Sequence, residues 1–181
     1  ERTDTSARGI GDFTITRRRW MLDPSESPHQ NIALGLGLKL PTGQSNATDT
    51  FLFENDDGEA DQEVRTVDQS IQPGDGGFGF LVDISAFKQM GQFTPYFSGT
   101  YLFNPEETSN VRTYRSRETE AVMSIADQYV ARTGVMWAVP SVQNLSVGFG
   151  GRLEGIPVED AIGGSEGFRR PGYAFSWEPT L

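Results

Sequence analysis

Residues 31–43, NIALGLGLKLPTG, constrain this chain more than any other stretch. From Ile32 to Leu40 every second residue is a large aliphatic, and between them stand Ala33, Gly35, Gly37 and Lys39. Strict alternation argues a β-strand with one apolar face. In a half-buried strand of a water-soluble protein the other face would carry Thr, Lys or Glu, because glycine weakens a strand interior. Leucine on one side and almost nothing on the other suits a wall whose large residues meet lipid. Its small ones then face a crowded concave interior.

The same rhythm recurs along the chain. Period-two runs predict strands over residues 11–22, 31–40, 77–88, 93–103, 128–139, 145–153 and 172–177, and no long amphipathic helix is visible. Several exceed the usual strand length of about five or six residues. They match the roughly 9–11 tilted residues that cross a bilayer. From Phe93 to Phe103 the rise along the membrane normal is roughly 25 Å, about the height of an apolar band between two aromatic girdles. The connections alternate: residues 22–31, 88–93 and 139–145 are short, whereas 41–76, 104–127 and 154–171 are long and polar. Brief turns at one end and long loops at the other are the rhythm of an outer-membrane barrel. The fold expected is therefore all-β, an antiparallel up-and-down transmembrane β-barrel in one domain over residues 1–181. About seven strands are present. Bacterial single-chain barrels have an even number, so the expectation is an incomplete barrel and a trimmed or partial chain.

Parity assigns faces. Lys39, Asp83, Ser85, Tyr96, Arg132 and Arg152 fall on the inner parity and are the candidate lumen-lining residues, since charges facing lipid are costly. They can pair and lock the wall, line a conduit, or do both. Trp20, Phe78, Phe93, Tyr101, Phe103, Tyr129 and Trp137 lie toward strand ends and are the candidate interfacial aromatics. The first strand fits least well, because Arg17 and Arg19 share the parity of Phe13, Ile15 and Met21. They snorkel to headgroups, or a bulge shifts the parity, or this strand does not face lipid.

Other chemistry is sparse. The chain has no cysteine, which removes disulfides and thiolate metal sites. A formal charge of -10 argues against nucleic acid as a partner. The acidic stretch 54–63, ENDDGEADQE, does not follow EF-hand spacing and reads as a solvated loop. His29, in SPHQ, reads as a turn residue, and no phosphate-binding or metalloprotease motif is present. No catalytic residue, metal or cofactor is assigned, and the reading is of a protein that is not an enzyme.

GIGDFTITRRRWML followed by NIALGLGLKLPTG resembles the meta-pathway phenol degradation family of outer-membrane β-barrel proteins. QPGDGGFGFL and SAFKQMGQFTPYFSGTYLFNP resemble that family's next hairpin, and the likeness spans roughly residues 9–177. The resemblance implies an outer-membrane barrel in a Gram-negative-type envelope, embedded in lipid and passing small, hydrophobic or aromatic molecules. It carries over no catalytic residue. The functional expectation is a passive channel. The alternatives are a structural or surface-interaction barrel without a conducting pore, and a soluble β-sandwich that binds a ligand.

Overall fold

The structure is a computed structural model that describes residues 4–54, 58–115 and 117–181. Seven strands form one antiparallel sheet in simple meander order. They are β1 (Phe13–Trp20), β2 (Gln30–Leu40), β5 (Gly79–Lys88), β6 (Phe93–Phe103), β9 (Gln128–Ala138), β10 (Ser146–Ile156) and β11 (Gly172–Thr180). Four of these, β2, β6, β9 and β10, are 11 residues long. The order is β1-β2-β5-β6-β9-β10-β11, with β1 and β11 as edges that do not pair with each other. No closed barrel is found among the described residues, and the expected all-β antiparallel architecture holds at the level of the sheet.

Two small hairpins stand outside the sheet. β3 (Thr48–Glu54) pairs with β4 (Ala60–Thr66), and β7 (Thr108–Arg112) pairs with β8 (Val122–Ser124). Both lie in connections read from the sequence as long loops. The acidic stretch 54–63 runs through the first hairpin, so Ala60–Glu63 are strand and not open loop, while residues 55–57 lie outside the described residues. Phe51 of β3 stacks on Tyr114 beyond β7 at 5.9 Å, tying the two hairpins together.

The three short connections share one end of the sheet. There the Gln89 amide donates to the His29 carbonyl at 2.6 Å, and the His29 ring meets the Gln89 side chain at 2.7 Å. The long connections gather at the other end and hold a small core of their own. Val67 and Ile125 are fully buried there, beside Ala47, Met123 and Ala126. Of the apolar side chains in the seven-stranded sheet, only Ala33 is buried among the described residues. The large ones stand out: Leu36 is 70% exposed, Ile15 66%, Phe149 57% and Trp177 64%. The sheet thus keeps its greasy face uncovered across all seven strands.

Candidate functional site: a polar wall under a folded-in mouth

Directly opposed residues in an antiparallel pair project to the same face. The register therefore sorts every side chain. One cross-strand row reads Trp20, Ala33, Ser85, Ser98, Arg132, Arg152 and Ser176; the next reads Arg18, Gly35, Asp83, Thr100, Val130, Glu154 and Ala174. These rows form the polar face. Lys39, Asp83, Ser85, Tyr96, Arg132 and Arg152 all fall on it. The opposite face carries rows such as Leu36, Val82, Tyr101, Tyr129 and Tyr173.

Glycine organises the polar face by leaving room for a neighbour to lie flat. Arg18 on β1 reaches across Gly35 on β2 to Asp83 on β5, with Nε and Nη2 donating to the two carboxylate oxygens at 2.5 and 2.9 Å. A Cβ at position 35 would sit 2.9 Å from the Arg18 Cγ and 3.1 Å from the Asp83 Cβ. The Thr100 hydroxyl donates to the same carboxylate at 2.9 Å, so the nearly buried Asp83 has three donors. A two-point guanidinium–carboxylate contact is the strong form of this pair. Tyr96 lies likewise over Gly134 and Gly150: added Cβ atoms would meet its hydroxyl at 2.6 and 2.5 Å. Further along, Arg132 pairs with Glu178 at 3.4 Å and Arg152 with Glu154.

The long-loop end of the polar face is covered. Lys39, only 5% exposed, pairs with Asp75 and with Asp12 at 3.6 Å, and donates to the Gly77 carbonyl at 2.9 Å. That pins residues 68–75, which include a short 3-10 turn at Gln69–Ile71, against the polar face of the sheet. Arg170 bonds Asp68 at 2.7 Å, joining this strap to the connection between β10 and β11. A buried polar knot backs it: Asp160 takes Arg169 in a double contact at 2.7 Å each and accepts the Asp127 amide at 2.9 Å. Asp127 in turn accepts from the Asn104 amide at 2.7 Å and from the Tyr101 hydroxyl at 3.0 Å.

Comparison with protein-family models, curated proteins and solved structures finds no match. The site has to be read from its own geometry.

The candidate interfacial aromatics divide. Phe93 and Trp137 oppose each other on the apolar face at the short-connection end. Phe80, Phe103 and Tyr101 cluster on that face at the other end, with Phe78 just before β5 and Tyr129 opposite Tyr101. Trp20 departs from expectation. It opposes Ala33, so it lies on the polar face, where its ring meets Phe87 edge-on at 6.1 Å. The small Ala33 leaves room for that contact.

Arg17 and Arg19 oppose Leu36 and Leu34 in an unbroken register from Phe13 to Trp20. The parity-shifting bulge allowed by the sequence is therefore absent, and both arginines stand on the apolar face. The partners of the wall charges, Arg18, Glu154, Glu178 and Asp75, were not singled out from the sequence. Arg18 was within reach, since it alternates with Thr14, Thr16 and Trp20. Glu178 lies just past the predicted end of the last strand, which runs on to Thr180.

Proposed function

We propose that this chain forms the wall of an outer-membrane β-barrel in a Gram-negative-type envelope and serves as a passive channel for small molecules. The observation that carries this reading is the continuous exposed apolar face opposite a polar one, over strands of 8–11 residues. A water-exposed apolar surface of that extent marks a membrane or partner contact. In a soluble sandwich the same residues would be packed inside, and Leu36 at 70% exposure stands against that alternative. The resemblance to the meta-pathway phenol degradation family supports the same reading. The wall charges occur as opposite-sign pairs, Arg18–Asp83, Arg132–Glu178 and Arg152–Glu154. Such pairing leaves little net field along the wall, so the channel has weak charge selectivity and favours uncharged permeants.

A second reading has its own observation. The strap at 68–75 lies across the inner wall at one mouth, which suits a structural barrel that does not conduct. Reconstitution in planar bilayers separates the two. Discrete conductance steps with similar anion and cation permeability are expected for the channel. Stable insertion without any conductance would favour the closed structural barrel.

A further inference from the structure

β1 is an edge of the seven-stranded sheet, and two of its charges are unanswered. Elsewhere in the sheet Lys39 pairs with Asp12 and Asp75, Arg18 with Asp83, Arg132 with Glu178 and Arg152 with Glu154. Arg17 and Arg19 are exposed, and their guanidinium groups have no partner among the described residues. Lys88 shares that lack, but it is the last residue of β5 and sits at a strand end. Arg17 and Arg19 instead oppose Leu36 and Leu34, with Leu38 and Leu40 beyond them one way and Ile32 the other. That places them roughly 10 Å from either end of the strand. Headgroup anions lie beyond those ends, whereas a strand beside β1 would lie against both arginines.

The ladder fixes how such a strand would meet them. The Met21 amide donates to the Ile32 carbonyl at 2.8 Å, which marks a hydrogen-bonded pair. Bonded and non-bonded pairs alternate in an antiparallel ladder. In the unbroken register Arg17 and Arg19 therefore turn their backbone groups to β2, and Thr16 and Arg18 turn theirs to the open edge. A strand bonded to Thr16 and Arg18 sets its own residues opposite Arg17 and Arg19 as non-hydrogen-bonded pairs. Those are the pairs whose side chains lie closest, and opposite charges there attract.

A second copy does not supply the acids. Asp83, Glu154 and Glu178, the acids of the seven strands, all stand on the polar face and are paired. β1 against β1 would set arginine against arginine. β4 has Asp61 and Glu63 two residues apart, but it stands outside the sheet and Arg65 holds Glu63.

We propose that the open edge of β1 docks an antiparallel β-strand of a partner chain, with Asp or Glu at two positions, two residues apart, opposite Arg17 and Arg19. The inference rests on the barrel reading, which makes unpaired arginines costly at that depth, and names the partner at one edge.

The test is amide hydrogen exchange of the full chain in nanodiscs of uncharged lipid, or in buffer if it does not insert. It is titrated with synthetic strand peptides of about nine residues. They alternate threonine with leucine and differ only at two central leucine positions, which become glutamate, glutamine or lysine. The glutamate peptide is expected to slow exchange at the Thr16 and Arg18 amides and to change Arg17 and Arg19 little. The glutamine peptide should bind about tenfold weaker, and the lysine peptide weaker still. Arg17→Leu combined with Arg19→Leu should erase that preference. Equal binding of the glutamate and glutamine peptides, a preference that survives in the double variant, or protection confined to β11 would overturn the proposal. So would loss of the preference when phosphatidylglycerol is added, since headgroups would then answer the arginines. Flotation of the chain with liposomes is a separate readout: selective binding without flotation sinks only the barrel, and flotation without selectivity sinks only this edge site.

Discussion

At the scale of single residues, glycine on the polar face is a gap that a neighbour fills. Gly35 lets Arg18 lie across β2 to reach Asp83, and the almost buried carboxylate depends on that reach. Gly35→Val should therefore destabilise the sheet by roughly 1–3 kcal/mol, the cost of overpacking a tight site. Urea unfolding measures it, and a neutral result would mean the Arg18 side chain has another path. Arg17 and Arg19 make the opposite point. They stand among Leu36 and Leu34 on the apolar face. If that face meets lipid at mid-depth, each costs about 2–4 kcal/mol. Arg17→Leu and Arg19→Leu should each raise folding stability in bilayers by up to that amount. Unchanged stability would place β1 at the interface or against another chain.

At the scale of elements, the strap is held by side-chain bonds and not by pairing with the seven-stranded sheet. Its Asp68 carries a lowered pKa. Burial alone would raise it, but bonds from the Ser70 amide and hydroxyl, the nearby Arg170 and the Tyr114 hydroxyl together outweigh burial and hold it below its ordinary value of 3.8. A depressed carboxylate stabilises the folded form above its unfolded pKa and loses that contribution as pH falls through its folded one. The strap should then stay in place from neutral pH to about pH 4 and loosen only in stronger acid. Asp68→Asn should reproduce the loosening at neutral pH. Exchange of the Ser70 backbone amide reports both, and equal protection in the variant would rule out Asp68 as the latch. Of these elements, the seven long strands were legible because apolar residues recur with period two, although Arg17 and Arg19 interrupt that pattern in β1. The hairpins β3–β4 and β7–β8 were not, since ADQEVRT and TSNVR show no apolar face. Their pairing rests on tertiary contacts such as Phe51 on Tyr114. Turn chemistry in DDG was the one local hint of the first hairpin. The faces of Lys39, Asp83, Arg132 and Arg152 follow from parity alone. Their partners come from other strands and loops, which parity cannot rank.

For the whole molecule, an odd number of antiparallel neighbours leaves β1 and β11 running in the same direction. Antiparallel closure into a barrel then takes an odd number of further strands between these edges, and an even total follows. Both edges offer unpaired backbone groups for that purpose. The central claim is that the face bearing Leu36, Phe149 and Trp177 meets lipid while the face bearing Asp83 does not. The three tryptophans suit a direct test, because Trp137 and Trp177 lie on the apolar face and Trp20 on the polar one. Single-tryptophan variants reconstituted with brominated lipids report contact with acyl chains through fluorescence quenching. Strong quenching of Trp137 and Trp177 with little of Trp20 is the expected result. Equal quenching of all three, or none at Trp177, would contradict it.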